Sequence, residues 1–140
     1  MIIYDAKNAV VGRLAAKVAK DLLNGEQVEV INASQLVLSG KPEYHKNMLQ
    51  VHREMKDKKD PEKSEKFPRI PYMLFKKSVS GMLPKKSQRG RDALKRLKVH
   101  DEVPVGLDIS KAQVHPNALK TDLTKSITLA ELCKAFGYKN

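Results

Sequence analysis

Residues 2–33 have the sequence IIYDAKNAVVGRLAAKVAKDLLNGEQVEVINA and decide the fold. Residues 2–4 and residues 28–31 are two short β-rich apolar runs, typical of strands. Between them, residues 10–24 place apolar side chains at helical spacing on one face, and Gly25 stands where that helix should end. Strand, helix and strand joined by short turns predict a right-handed βαβ unit with parallel strands. The apolar helix face consists of Val11, Leu14, Ala15, Val18 and Leu22.

The middle of the chain gives weaker structural signals. Residues 34–41 fit either a short strand or a helical turn. Pro42 suits the first position of a helix that should run to about Lys56. Few side chains of that helix are apolar, so we expect it to lie on the surface. Residues 101–126 contain scattered Pro and Gly and are predicted to be mostly irregular.

The last helix has a clear start and a clear end. Residues 128–131, Thr-Leu-Ala-Glu, match a capping box, in which the first side chain and the fourth satisfy each other's backbone N–H groups. Gly137 should end the helix. We expect its buried side to carry Leu129, Leu132, Cys133 and Phe136.

Residues 56–66 form the one stretch with nothing to bury. Their charges alternate in sign, which predicts a mobile charged loop or a solvated helix end rather than a polycationic arm. The whole chain, residues 1–140, has the length of one ordinary domain. We therefore expect a single domain that contains this loop.

Charge is the strongest compositional signal. The chain has 27 Lys and Arg against 16 Asp and Glu, a formal net charge of +11. Such an excess attracts polyanions, and each neutralised phosphate releases counterions and adds affinity. Nucleic acid is the first candidate partner, an anionic membrane surface the second, and a merely soluble basic domain is the alternative without a partner. No transmembrane stretch or signal peptide is evident, so we expect no membrane association.

The cations concentrate in residues 85–98, which hold seven basic side chains and one acidic one. Arg binds phosphate through a forked donor pair, and Lys acts as a mobile point charge. If this stretch is a helix anchored by Leu94 and Leu97, its spacing predicts a shared outward face for three cations. Those cations are Arg91, Lys95 and Lys98. Gly81 and Gly90 would allow a tight turn or a close backbone approach to RNA.

Catalytic and ligand-binding motifs are missing from the sequence. There is no GxxxxGK[ST] loop for phosphate and no complete GxGxxG turn around Gly12. His45 and His52 could share a helix face, but two histidines without supporting ligands make a poor zinc site. Cys133 lies on the apolar side of its helix, which favours packing over catalysis. We expect no catalytic residues, no metal, no cofactor and no small-molecule substrate.

Three further motifs stand out in the sequence. The first is Gly-Met-Leu-Pro at 81–84, followed by Lys-Lys-Ser-Gln-Arg-Gly-Arg at 85–91. The second joins Asp5-Ala6 to Val-Gly-Arg-Leu-Ala-Ala at 11–16, and the third joins residues 30–33 to residues 38–41. Together they resemble the L13 family of large-subunit ribosomal proteins. The short N-terminus and the form of residues 42–75 resemble the archaeal and eukaryotic branch.

The resemblance implies an α/β fold of three layers, α/β/α, around a small, mainly parallel four-stranded sheet. It implies a structural constituent of the large ribosomal subunit, cytoplasmic and ribosome-bound, which binds and stabilises large-subunit ribosomal RNA and supports assembly. Neighbouring large-subunit proteins would be its further partners. The family often has a basic residue where this chain has Ser80, and Lys76 and Lys77 would supply that charge instead.

The resemblance also implies particular RNA contacts. The matching motif residues are Lys85, Lys86, Arg89 and Arg91, with Arg13 and Lys41 as further contacts, while Lys95 and Lys98 are added from the helical-face argument alone. Two other classes of function stay open. An RNA- or nucleotide-processing enzyme would need a polar constellation near Asp5 or Asn32, at the carboxyl ends of the strands. A free regulatory RNA-binding module would need the same basic face as a ribosomal protein.

Overall fold

The computed structural model describes residues 1–107, 109–122 and 124–139. Short 3-10 turns connect the regular elements at Ala33–Gln35, Pro61–Lys63, Ile109–Lys111 and Pro116–Ala118. The helices are α1 (Val11–Leu23), α2 (Pro42–Glu54), α3 (Pro71–Met82), α4 (Gln88–Lys95) and α5 (Leu129–Ala135). The strands are β1 (Ile2–Asp5), β2 (Val28–Ile31), β3 (Val37–Ser39), β4 (Leu97–Val99), β5 (Ala112–Gln113) and β6 (Ser126–Thr128).

Four strands form one parallel sheet in the order β4-β2-β1-β5. The register of the central pair places Ile2 opposite Val28 and Tyr4 opposite Val30. The predicted βαβ unit and the α/β fold around a small four-stranded sheet are therefore confirmed. Strands β3 and β6 make a separate antiparallel pair. Residues 34–41 thus contain both of the structures that their sequence allowed, first a 3-10 turn and then a strand.

The core lies between the sheet and helix α1. Every predicted apolar residue of α1 is buried, and Leu14 and Val18 are fully enclosed. One face of the sheet carries Tyr4, Val28 and Val30, which belong to the same apolar cluster as α1. All four residues of β2 are buried, including those on the other face, as expected for a parallel strand covered on both sides.

A buried polar group ties α1 to the sheet. The Tyr4 hydroxyl donates to Asp21 Oδ2 at 2.7 Å, and Lys17 Nζ lies 2.8 Å from Asp21 Oδ1. Burial, with the hydrogen bond to Asp21, raises the pKa of Tyr4. Asp21 is 5% exposed, so its two partners satisfy a carboxylate that would otherwise be costly to bury.

The sequence did not predict helix α3, which packs along α1. The sequence nevertheless contains signals for this helix. Pro71 occupies the first turn, and Leu74, Phe75 and Val79 follow at helical spacing and are buried. The helix separates the charged loop from the basic stretch, and it carries Lys76 and Lys77.

Helix α4 is shorter than predicted. The interpretation of residues 85–98 as a helix through Lys98 is wrong, because α4 ends at Lys95 and Leu97–Val99 form strand β4. Leu97 and Val99 flank Lys98 and pair with Val28 and Val30. Because successive side chains of a strand point to opposite faces, both apolar side chains lie on the core face of the sheet.

The remaining predictions agree with the structure except in detail. Helix α2 lies on the surface, with Leu49 as its one buried residue. Helix α5 begins with the predicted capping box between Thr128 and Glu131. Residues 101–107, 109–122 and 124–125 are largely irregular, but they also contain β5, which extends the sheet beside β1. Phe136 is half-buried against the core instead of fully enclosed.

Candidate nucleic-acid interface

The predicted RNA-binding residues centre on a loop and helix that we call the basic segment, residues 84–95. Leu83 is buried and anchors the entry to the loop. Ser87 caps α4, since its Oγ accepts a hydrogen bond from the backbone N–H of Gly90 at 3.3 Å. The exposed Lys85 and Lys86 come directly before this cap. The loop therefore presents two cations beside the positive end of a helix.

Gly90 gives the basic segment its shape. It is buried, and a Cβ at this position would overlap the carbonyl oxygen and carbon of Pro84. The loop thus folds back until its Pro84 backbone rests on the Gly90 Cα. The close backbone approach at Gly90 is to the chain itself, while the predicted approach to RNA stays a prediction. Gly81 has open space around it.

Arg89 in the basic segment and Arg96 directly after it attach helix α4 to helix α1. Arg89 Nη2 donates to the carbonyl oxygen of Leu23 at 3.0 Å, and Arg96 Nη2 donates to that of Leu22 at 2.8 Å. Carbonyl groups in the last turn of a helix lack intrahelical partners, so both arginines cap α1. The role of Arg96 was missed, because its partner lies 74 residues away in the sequence and no local pattern reveals it.

The other cations of this surface differ in the hydrogen bonds and ion pairs that their side chains form. In the described part of the chain, the side chains of Lys86 and Arg91 are exposed and form no hydrogen bond or ion pair. Lys95 Nζ lies 3.8 Å from Asp92, an exposed pair of little strength. Lys98 Nζ lies 3.2 Å from the buried Glu29 carboxylate, so part of its charge is already neutralised.

A second predicted surface surrounds Arg13, away from the Arg89 end of α1. Arg13, in the first turn of α1, lies within 3.5 Å of the Asn117 carbonyl oxygen. Lys41 follows strand β3, which begins beside Val10 at the same end of α1. Arg89 contacts the opposite end of this helix, which is about 20 Å long. The structure therefore does not bring the predicted contacts into one patch.

Lys77 contacts the three residues at and just after the end of the 56–66 loop. Its Nζ lies 3.0 Å from Glu65, donates to the Lys66 carbonyl at 2.9 Å and sits 4.0 Å from the centre of the Phe67 ring. The hydrogen bond and charge of Lys77 lower the pKa of Glu65. Lys76 beside it is half-buried. These contacts fasten the end of the 56–66 loop to α3, while the mobility of that loop stays a prediction.

The polar residues that the enzyme alternative would need, Asp5 and Asn32, contact each other and the backbone. Asp5 and Asn32 do meet at the carboxyl ends of β1 and β2, where Asn32 Nδ2 donates to Asp5 Oδ1 at 2.9 Å. The same oxygen accepts from the backbone N–H of Lys7, so the pair joins two strand ends. Cys133 is buried, and desolvation raises its pKa to about 12.

The described residues contain neither a candidate metal-binding cluster nor a membrane-spanning helix. No group of three His, Cys, Asp or Glu side chains is placed to hold a metal ion within residues 1–107, 109–122 and 124–139. None of the helices seen there is long and apolar enough to cross a membrane.

Fold and surface together define a small, basic α/β protein with a dense group of exposed cations on a loop and helix outside the core. The sequence model of the family "Ribosomal protein L13" matches residues 1–105. The "Large ribosomal subunit protein uL13" of Methanocaldococcus jannaschii is 39% identical over 99% of both chains. The protein of that name from Archaeoglobus fulgidus is 40% identical over 98% of this chain and 88% of its own length.

A third relative, the uL13 protein of Methanococcus maripaludis, is 37% identical over 99% of both chains. The chain belongs to the ribosomal protein L13 family. It is therefore a structural ribosomal protein and not an enzyme, and its relatives are of the archaeal type that the sequence predicted.

Proposed function

We propose that this chain binds large-subunit ribosomal RNA through the basic segment and so stabilises the folded RNA in the cytoplasmic ribosome. Lys85, Lys86 and Arg91 would make the principal phosphate contacts. Arg89 and Lys95 would add to them with the donors that their internal contacts leave free. Family membership supports ribosomal RNA and ribosomal proteins as partners in general.

One observation carries this assignment. Lys86 and Arg91 are exposed cations without an ion pair or hydrogen bond in the described residues, and they lie on a loop and helix whose backbone is fixed by Gly90 and Arg89. Ordering a lysine or arginine on binding costs conformational entropy, and a fixed backbone reduces that cost. A phosphate can replace water at these groups without first breaking a protein contact.

The second surface, around Arg13 and Lys41, would contact a different RNA segment. Because about 15 Å of helix α1 separates Arg13 from the Leu23 carbonyl that Arg89 contacts, a single phosphate cluster could not serve both. A rigid domain that binds two segments fixes their separation. This is how a small protein without a catalytic site would support the assembly of a large RNA.

The test is the salt dependence of binding to a large-subunit ribosomal RNA fragment. The double variant Lys86→Glu with Arg91→Glu should bind more weakly. Its log–log salt slope should be shallower by about 2, since roughly one unit is lost for each phosphate contact removed.

The matched control is Lys58→Glu with Lys59→Glu, which makes the same change of net charge in the 56–66 loop. This control should keep a slope close to that of the unmodified chain, because long-range charge effects are screened at physiological salt. If both double variants lose the same affinity and slope, binding depends on net charge alone and the assignment of the basic segment is wrong.

A further inference from the structure

Helix α2 carries a row of large apolar side chains that nothing in the described structure covers. Tyr44, Met48, Val51 and Met55 are 46–62% exposed. They stand at i, i+4, i+7 and i+11, so the first three form one stripe along the helix and Met55 continues it at the C-cap. Scattered exposed apolar residues are ordinary, but an aligned row is typical of an interface.

The side of α2 that faces the protein is sparsely packed. His45, Leu49 and His52 occupy the inner row, and Leu49 alone is fully buried. A cleft of about 600 Å³ separates this row from helices α3 and α5, and Met48 lines it. The stripe therefore continues into a cleft that could accept a side chain from a partner.

The outer flank of the stripe has the opposite charge from the rest of the molecule. It consists of Glu43, Asn47, Gln50 and Glu54, each one residue before a member of the stripe, and all four are exposed. This row has two carboxylates and no cation, in a chain of net charge +11. It would repel phosphate and attract a basic side chain.

We propose that the stripe of α2 is the docking site for an amphipathic segment of a neighbouring large-subunit protein, apolar along one side and basic where it meets Glu43 and Glu54. A second copy of this chain is a poor occupant, since two polycations of charge +11 repel each other. RNA is a poor occupant because the stripe offers apolar groups beside carboxylates. The inference rests on the proposed function only in placing the neighbour on the large subunit.

A single introduced thiol tests this inference. Cys133 is buried, so Val51→Cys adds one reactive cysteine at a position that is 52% exposed and tolerates the change. A maleimide should label this thiol readily in the free protein. In assembled large subunits its labelling rate should fall by roughly tenfold or more, because a covered site reacts only after it opens.

A maleimide photo-crosslinker on the same thiol then identifies what covers it. The inference predicts a crosslink to a different ribosomal protein. Gln88→Cys, on the exposed first residue of α4, is the comparison and should crosslink to RNA. Full reactivity of the Val51→Cys thiol in the subunit, or a crosslink only to RNA or to a second copy, would overturn the inference. Absence of the chain from large subunits would instead contradict the proposed function.

Discussion

The lack of a Cβ at Gly90 allows the backbone of Pro84 to pack against this residue. Its Cα faces the Pro84 backbone, and the carbonyl of Pro84 also accepts a hydrogen bond from Ser87 Oγ at 3.3 Å. Lys85 and Lys86 lie between these fixed points. Their positions therefore depend on a residue that would never contact RNA.

Replacing Gly90 with Ala should displace the loop, because the added methyl would overlap the Pro84 carbonyl. We expect the free energy of unfolding to fall by about 1–3 kcal/mol, as for other overpacked sites, and the affinity for ribosomal RNA to fall with it. Urea unfolding and RNA titration measure the two effects.

Gly81→Ala is the control for that prediction. Gly81 lies in α3 with open space around it, so the extra methyl should leave RNA affinity unchanged and stability equal or slightly higher. If Gly90→Ala behaves like Gly81→Ala in both measurements, the loop is not shaped by this contact.

The sequence could predict which residue types matter at this scale, but not their partners. The density of Lys and Arg in residues 85–98 indicated a phosphate-binding surface. It could not show that Arg89 and Arg96 reach the end of α1, or that Lys98 pairs with Glu29, because these partners lie 66 to 74 residues away. A sequence does not show whether a Lys or Arg side chain already has a hydrogen-bond or ion-pair partner within the protein.

At the scale of elements, helix α4 depends on α1 for its position. Arg89 and Arg96 donate to the carbonyls of Leu23 and Leu22, and these contacts join the basic segment to the most deeply buried helix. A short helix of eight residues is marginal alone and gains its stability from such tertiary contacts. The geometry of the basic segment is thereby set by the core.

Arg96→Ala should destabilise the fold by about 1–3 kcal/mol, since a charge-assisted hydrogen bond to a helix-end carbonyl is lost. Arg91→Ala is the matched change on an exposed side chain and should alter stability by less than about 0.5 kcal/mol, while it weakens RNA binding. Equal unfolding midpoints for the two variants in urea would contradict the capping role of Arg96.

Local sequence patterns predicted some elements better than others. The βαβ unit was predictable because α1 has a continuous apolar face and its flanking strands are short apolar runs. Strand β4 was mistaken for helix because Leu94 and Leu97 also fit helical spacing, and the pairing with β2 that decides between them is not local. Strand β5 has only two residues, too few for any periodic signal.

At the scale of the whole molecule, the predicted RNA contacts Arg13 and Arg89 lie at opposite ends of α1, and the apolar stripe of α2 forms another surface. A polycation that neutralised RNA only by net charge would need no such separation. The family resemblance predicted the ribosomal assignment, which the comparisons confirm. The division into surfaces required the structure, since it follows from the length and direction of α1.

The most direct test of the central claim is sucrose-gradient sedimentation of lysate from cells that produce tagged variants in competition with the unmodified chain. The chain should migrate stoichiometrically with the large subunit and survive a moderate salt wash. Lys86→Glu with Arg91→Glu should lower its occupancy at least several-fold, while Lys58→Glu with Lys59→Glu should not, because only the first pair removes phosphate contacts. Equal occupancy of the two double variants after the wash would contradict the claim that the basic segment holds the RNA.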